Sequence, residues 1–506
     1  MNANSGLGVR TTKGILWNYA GKFIEFCLGI CFSILVGRSL GPARYGFYNY
    51  IVTTATVSVL VFSFGYEQIL VKYVPDLDCT AGRPHGNMLF FHLAKKRLIY
   101  FLAGVLLIWA AEPLITGKFS MRVTGQGFLV AGIFVLLGMR DLFSAFFSAR
   151  LLLRETAFIR VSGQVIAIIL ISGYFYLAGP SLPIVVWSFL FSAAAGCLFG
   201  WYYLKRIQWF KNSGDHANGS EILDWSMVKF GYAVWLVNLT TYLINSQINV
   251  FFLIGMLKDS LQVGYFSTAL LFGYLPNVLL SGLAGVMMPV LSEARANPDS
   301  RVLENTFRSL SKVLILSLVP LLMFLVWKAG SIVEILFGSE FAPTAPLVRV
   351  TLTAYALNIL FLTHLCTNLL YLYGKEKIVL WNRIAAGIVN IAMIFLLIPG
   401  FWALGAMIAT SVAVLFQIIM EFWFAVRGRM RLYPLGFALK VVFGGAAGLF
   451  ILSLFRVKGI AALTGIAFVY IILLLIFYRV TRLLDASEKK FLSGFHPVSA
   501  FVMRWL

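Results

Sequence analysis

Apolar runs long enough to cross a lipid bilayer follow one another from end to end of the chain, separated by short polar connections. A hydrocarbon core of roughly 30 Å needs about 20 apolar residues in a helix. Such runs fall near 14–37, 45–71, 97–116, 126–149, 159–178, 182–204, 226–254, 262–290, 309–329, 346–373, 378–398, 402–425, 437–455 and 460–479. The pattern predicts an all-α, polytopic membrane protein of 14 transmembrane helices. Barrel strands would instead give alternating segments of about 10 residues, which the sequence lacks.

Composition strengthens this reading. The chain has 506 residues, of which 60% are hydrophobic and 12% charged, too few polar side chains to coat a soluble protein of this length. The net charge of +21 would suggest nucleic acid in a soluble domain, but here its distribution matters more. With the N-terminus inside, the inner connections and tails hold 30 Lys/Arg and the outer ones 9, with Lys22 and Arg140 left within spans. That bias is what the positive-inside rule demands, so both termini are expected in the cytoplasm and no nucleic-acid partner is expected. The polar leader MNANSGLGVRTTKG lacks a small-residue cleavage site after the first apolar run, so that run reads as a retained span. The five cysteines are scattered without CxxC or Cys/His ligand spacing, which predicts no metal site.

The longest clearly polar connection, Lys205–Trp225, divides the chain. It separates an N-terminal six-helix lobe (1–204) from a C-terminal six-helix lobe (226–425), followed by two additional spans and a tail (426–506). The lobes resemble each other. LVGRSLGPARYGFYNY after span 1 matches LIGMLKDSLQVGYFST after span 7 at an offset of 218, aligning Gly37 with Gly255 and Gly46 with Gly264. ARLLLRETAF and LYLYGKEKIV correspond at an offset of about 221. Six spans separate the repeats, an even number, so the repeat is parallel, and such repeats commonly flank a transporter's substrate site.

Polar residues inside the spans carry the candidate chemistry. Asn18, Lys22, Glu25 and Gly29 fall on one helical face of span 1. Span 2 carries Asn49, Thr53, Thr56, Ser63 and Glu67, and span 7 carries Asn238, Thr241, Asn245 and Asn249. Charges facing lipid cost roughly 2.5–3.5 kcal/mol each on insertion scales, so these stripes are expected to line a water-filled cavity or to pair. Bland readings compete: Lys22 snorkelling to the interface, a local Lys22–Glu25 ion pair, a structural Arg140–Asp141 pair on span 4, and His364 of span 10 as a packing residue.

Several motifs resemble those of Wzx-type polysaccharide-unit flippases. They are Arg38-Ser39-Leu40-Gly41-Pro42 with Tyr45-Gly46, Phe337-Gly338-Ser339-Glu340-Phe341-Ala342-Pro343, and Leu397-Ile398-Pro399-Gly400 through Gly405-Ala406-Met407-Ile408-Ala409-Thr410. The resemblance covers most of the chain and points to the multidrug/oligosaccharidyl-lipid/polysaccharide exporter superfamily. It implies two six-helix bundles around a central cavity, plus two C-terminal helices. It also implies alternating-access transfer of an undecaprenyl-diphosphate-linked oligosaccharide to the outer leaflet of a bacterial plasma membrane, with membrane lipids and pathway proteins such as a polymerase as partners. A diphosphate needs cationic partners, which makes Lys22 and then Arg140 the first candidates. The Asn/Thr stripe of span 7 and Asn18 suit sugar hydroxyls. Glu25, Glu67, Asp141 and His364 are candidates for ion coupling. No cofactor is expected beyond an ion gradient or membrane potential.

Two other functions compete. A cation-coupled drug antiporter of the same superfamily usually has twelve spans and an acidic cavity, which Lys22 and the span count disfavour. A membrane glycosyltransferase or ligase would need catalytic residues in a substantial loop, and no outer loop here is long. No Walker A motif is present, so intrinsic ATP-driven transport is not expected.

Overall fold

The computed structural model describes residues 3–80, 83–116, 126–206, 223–244, 247–427, 433–454, 459–481 and 483. It forms two compact units, Met1–Ser267 and Thr268–Leu506. The first holds α1 (Ala3–Val61), α2 (Tyr66–Thr80), α3 (Arg83–Thr116), α4 (Gln126–Ala149), α5 (Leu153–Ala178), α6 (Leu182–Arg206), α7 (Trp225–Ile244) and α8 (Ile248–Leu257). α9 (Ser260–Ala296) begins in the first unit and ends in the second. The second continues with α10 (Ser300–Phe337), α11 (Thr344–Leu360), α12 (Thr363–Leu372), α13 (Glu376–Val426), α14 (Leu435–Ser453) and α15 (Ile460–Val480). Most of the expected inter-lobe connection, 207–222, lies outside the described residues, as do 484–506 of the tail.

Among the described residues, nine helices are long and apolar enough to cross a membrane, or ten if the bent α11–α12 pair is one span. The difference from 14 expected spans has a local cause. α1 carries expected spans 1 and 2 in one helical run, and α13 carries spans 11 and 12. Each run bends where proline and an unusual backbone conformation meet. In α1, Gly41 sits at φ 73°, ψ 169° just before Pro42, a region that is essentially glycine-only. In α13, Trp402 at φ 52° follows Pro399. The α3 and α7–α8 segments stand where spans 3 and 7 were expected, without meeting the same length and apolarity criterion over their described residues. Many large apolar side chains, among them Leu106, Tyr176, Leu198, Phe450 and Phe468, stay exposed, as a lipid-facing surface requires and a water-facing one does not tolerate. The chain is a multi-pass membrane protein.

The repeat is visible in the backbone. Leu151 and Gly374, 223 residues apart, both take left-handed conformations, at φ 58° and 67°. The following amides close the turns identically, Leu152 N–H to Phe147 O and Lys375 N–H to Leu370 O, each at 2.9 Å. Gly179 and Trp402, again 223 apart, both have positive φ.

In the first unit, α2, α3 and α4 share an apolar core of Ile69, Leu70, Val74, Leu89, Phe90, Leu142, Phe146 and Phe147, with Phe90 and Phe146 ring centroids 4.7 Å apart. A two-pronged ion pair ties the ends of α2 and α4: Arg150 donates from Nε to Asp78 Oδ2 at 2.7 Å and from Nη2 to Oδ1 at 2.9 Å. Where α7 starts, the Asp224 carboxyl is held below the usual carboxylate range by a hydrogen bond from the Ser226 hydroxyl.

Candidate functional site

The first unit gathers three of the expected charged residues. Arg140 on α4 donates from Nε and Nη2 to Asp141 Oδ1 at 3.3 and 3.1 Å. Glu25 of α1 lies within electrostatic range of the same guanidinium. The aliphatic stem of Arg140 runs across Gly196 of α6, where an added Cβ would stand 2.8 Å from Arg140 Cδ. α1 approaches α5 at Gly21, whose added Cβ would meet Ala157 Cβ at 2.6 Å, while Gly29 faces Gln164. Small residues thus bring α1 close to α5 and α4 close to α6, and Glu25, Arg140 and Asp141 share one partly exposed site. Two carboxylates against one guanidinium give that site a formal charge of −1.

Lys22 stands apart. It is exposed, and among the described residues no acidic group comes within ion-pair distance of it. The local Lys22–Glu25 pair is therefore replaced by an interhelical arrangement in which Glu25 faces Arg140. Asn18 belongs to α1, but its side chain is outside the described residues.

Glu67 has a different partner. Its Oε1 is 2.6 Å from Arg97 Nη1, and the Arg97 side chain is wholly buried. The guanidinium lies 5.0 Å from the Phe101 ring centroid, and its Nε and Nη2 have no hydrogen-bond partner among the described residues. The charge count places Arg97 with its neighbours Lys95 and Lys96 among the inner connections. Its position at the first residue of an apolar run, thirty residues after an intramembrane glutamate, was the available signal.

The polar stripes are less uniform than their spacing suggests. On span 2, Asn49 Nδ2 donates to Tyr45 O at 2.9 Å, Thr56 to Val52 O at 2.9 Å and Ser63 to Leu60 O at 3.0 Å. These groups are satisfied by their own helix, and residues 62–65 between α1 and α2 interrupt the run. On the seventh span, Thr241 is exposed and donates to Val237 O at 2.9 Å, Asn238 is half-buried, and Asn249 is fully buried in the separate helix α8. The single face expected for these residues is therefore divided between two helices and two environments. Asn245 lies outside the described residues.

Both ends of the span-2 segment pack closely within the first unit. At one end an added Cβ on Gly46 would run into Ser260 O and Gly264, and one on Gly264 into Pro42 O. At the other, Gly65 abuts the Gly231 backbone, and Trp235 Nε1 donates to Leu60 O at 2.9 Å. Phe64 fills this second contact, 5.1 Å from Trp235 and 4.8 Å from Tyr100 between centroids.

In the second unit, His364 on α12 lies within electrostatic range of Arg383 on α13. Nearby is an acid that sequence reasoning missed. Glu421, fully buried, accepts from Gln417 Nε2 at 2.9 Å and from the Thr367 hydroxyl. It is the one acidic residue of the apolar stretch 402–425, a signal that could have found it.

The sequence profile of a family described as "Polysaccharide biosynthesis protein" matches residues 35–346. An uncharacterized membrane protein of Methanocaldococcus jannaschii is 20% identical over 434 residues, covering 82% of this chain and 84% of that protein. Among solved structures, the lipid II flippase MurJ in an inward closed conformation superposes with a TM-score of 0.70 at 15% identity, covering 92% of this chain and 99% of that one. An inward-facing multidrug resistance MATE transporter of the MOP superfamily gives 0.58 at 16% identity, covering 81% and 94%. A MOP superfamily transporter from Pyrococcus furiosus, whose binding pocket is described as reversed in polarity, gives 0.54 at 15% identity, covering 84% and 95%. At these identities the likeness is one of fold.

Proposed function

The chain belongs to the polysaccharide biosynthesis protein family, and on that premise we propose that it is a flippase without covalent chemistry. Its substrate is an undecaprenyl-diphosphate-linked oligosaccharide unit, carried from the cytoplasmic to the outer leaflet of a bacterial plasma membrane by alternating access. Both termini face the cytoplasm. The MOP-type fold supports the transport class, and the family supports the saccharide pathway.

The observation that carries this reading is the contrast between two charged sites in the membrane-spanning part of the first unit. Lys22 is a cation with no acidic partner among the described residues, whereas Arg140 is held by Asp141 and faces Glu25. A diphosphate brought to Arg140 would meet two carboxylates; brought to Lys22, it meets an open ammonium. The roles therefore divide. Lys22 holds the diphosphate through charge-assisted hydrogen bonds, which are roughly twice as strong as neutral ones. Glu25, Arg140 and Asp141 form the site where a proton or small cation exchanges. Asn238 and Thr241 face the sugar, whose hydroxyls match neutral donors and acceptors, and Asn18 is assigned to the same role from its sequence position.

The test is reconstitution into vesicles carrying a polyprenyl-diphosphate oligosaccharide in one leaflet, with transfer read by an added glycan-cleaving enzyme. Transfer that depends on the protein and on an imposed ion gradient is the expected result. No transfer under any proton or sodium gradient would overturn the flippase reading.

A further inference from the structure

Within the second unit, α10 and α15 run past each other in antiparallel fashion. They touch in the middle, where Phe324 stacks on Tyr470 at 5.5 Å and the Tyr470 hydroxyl donates to Pro320 O at 3.3 Å. Beyond this contact the two helices enclose a cavity of about 340 Å³. Its polar wall is Lys328, Ser331 and Glu334 on α10, and its apolar wall is Leu463 and Ile466 on α15, with Gly459 at the rim.

Two observations fix the level of this cavity in the bilayer. Trp327 and Lys328 end the most apolar part of α10, and Gly459 precedes the first residue of the apolar α15. An aromatic and a lysine at such a boundary are what the membrane–water interface selects. The cavity therefore opens where phospholipid headgroups lie.

Its charges specify a headgroup of a particular kind. Lys328 Nζ sits 3.8 Å from the Trp327 ring centroid, and Lys328 and Glu334 are not within ion-pair distance of each other. The first amides of α15, next to Gly459, add the positive end of a helix dipole. The site thus offers a cationic side and an anionic side, separated by about 9 Å of helix rise, over an apolar floor.

We propose that this cavity binds a zwitterionic phospholipid bearing a primary ammonium, of the phosphatidylethanolamine type. The phosphate pairs with Lys328, Ser331 and the start of α15, and the ammonium pairs with Glu334. The glycerol and the upper acyl chains lie on Leu463 and Ile466. Phosphatidylglycerol leaves Glu334 facing no cation among the described residues, and the quaternary ammonium of phosphatidylcholine has no N–H to donate. The inference requires the membrane setting but not the substrate proposed above, so either can fail alone.

The test is native mass spectrometry of the delipidated protein, titrated with phosphatidylethanolamine, phosphatidylglycerol, phosphatidylcholine and inorganic phosphate. The wild type is expected to hold one phosphatidylethanolamine with about tenfold preference over the other two lipids, the worth of one charge-assisted contact. Glu334→Gln should erase that preference, Lys328→Ala should weaken the binding of all three lipids, and Lys328→Arg should keep both the binding and the preference. Leu463→Trp, which fills the cavity without touching its charges, should remove the bound lipid. Equal binding of the three lipids, a preference unchanged in Glu334→Gln, or overall binding unchanged in Lys328→Ala, overturns the proposal. Displacement of the lipid by inorganic phosphate at equal concentration overturns it as well, by assigning the cavity to a free anion.

Discussion

Gly46 and Gly264, 218 residues apart and equivalent in the internal repeat, pack directly against each other: an added Cβ on Gly46 would stand 3.0 Å from Gly264 Cα. The contact is reciprocal. Gly46 faces the carbonyl of Ser260, and Gly264 faces the carbonyl of Pro42, and Pro42 and Ser260 are themselves 218 apart. Gly46→Ala or Gly264→Ala forces backbone apart and is expected to cost about 1–3 kcal/mol, as overpacking does. The double variant should cost less than the sum, because one separation accommodates both methyl groups. Gly255→Ala is the control. Nothing lies within 4 Å of an added Cβ there, so that variant should be neutral or stabilising by up to about 1 kcal/mol. Thermal unfolding of the four variants in detergent decides the matter.

The Glu67–Arg97 pair offers a second test. With Arg97 wholly buried, removing either partner strands a charge in the interior. Glu67→Leu or Arg97→Met is expected to destabilise by about 3–5 kcal/mol, while the two together should recover much of that loss. A double-mutant cycle on denaturant midpoints measures the coupling. Additive losses would mean that the two side chains do not act as a pair.

These two contacts mark what the sequence made legible. Helical class follows from apolar periodicity, and the Gly46–Gly264 alignment follows from the repeat, because both are recorded in residue type and spacing. The partner of Glu67 is not recorded that way. Thirty residues and a helix reversal separate it from Arg97, which a charge count assigns to the inner connection beside Lys95 and Lys96. Likewise, the polar residues Asn49, Thr56 and Ser63 have the spacing of a cavity stripe, yet donate to their own helix carbonyls. Spacing reports which face a residue occupies. What stands opposite that face depends on how neighbouring helices tilt and where they break.

In the second unit, Glu421 is expected to tolerate amide replacement but not truncation. The Thr367 hydroxyl contacts both Thr363 O, at 2.9 Å, and Glu421 Oε2, and one hydroxyl proton serves one acceptor. Glu421→Gln places an N–H opposite Thr367, whose own proton then goes to Thr363, while the amide oxygen still accepts from Gln417. Glu421→Ala leaves Gln417 Nε2 without its acceptor and Thr367 with Thr363 O alone, around a void. A loss of about 2–4 kcal/mol is expected for alanine and under about 1 kcal/mol for glutamine, read by thermal unfolding. Equal losses in the two variants would remove the hydrogen-bond account.

The division of roles between Lys22 and the Glu25–Arg140–Asp141 site is decided by separating substrate dependence from ion dependence. Lys22→Gln removes a charge-assisted contact to the diphosphate, worth roughly 1.5–3 kcal/mol, so transfer at subsaturating substrate should fall about tenfold to a hundredfold. Its response to an imposed ion gradient should be unchanged, and Lys22→Arg should restore most of the transfer. Glu25→Gln should do the reverse: near-normal apparent substrate affinity, with the gradient dependence weakened or lost. Arg140→Ala leaves Glu25 and Asp141 as neighbouring acids without their cation, so it should change the gradient dependence in the same assay more than it changes substrate affinity. Were Arg140→Ala instead to weaken substrate binding as strongly as Lys22→Gln, the diphosphate would have to contact Arg140, and Asp141 would have to release the guanidinium during the cycle.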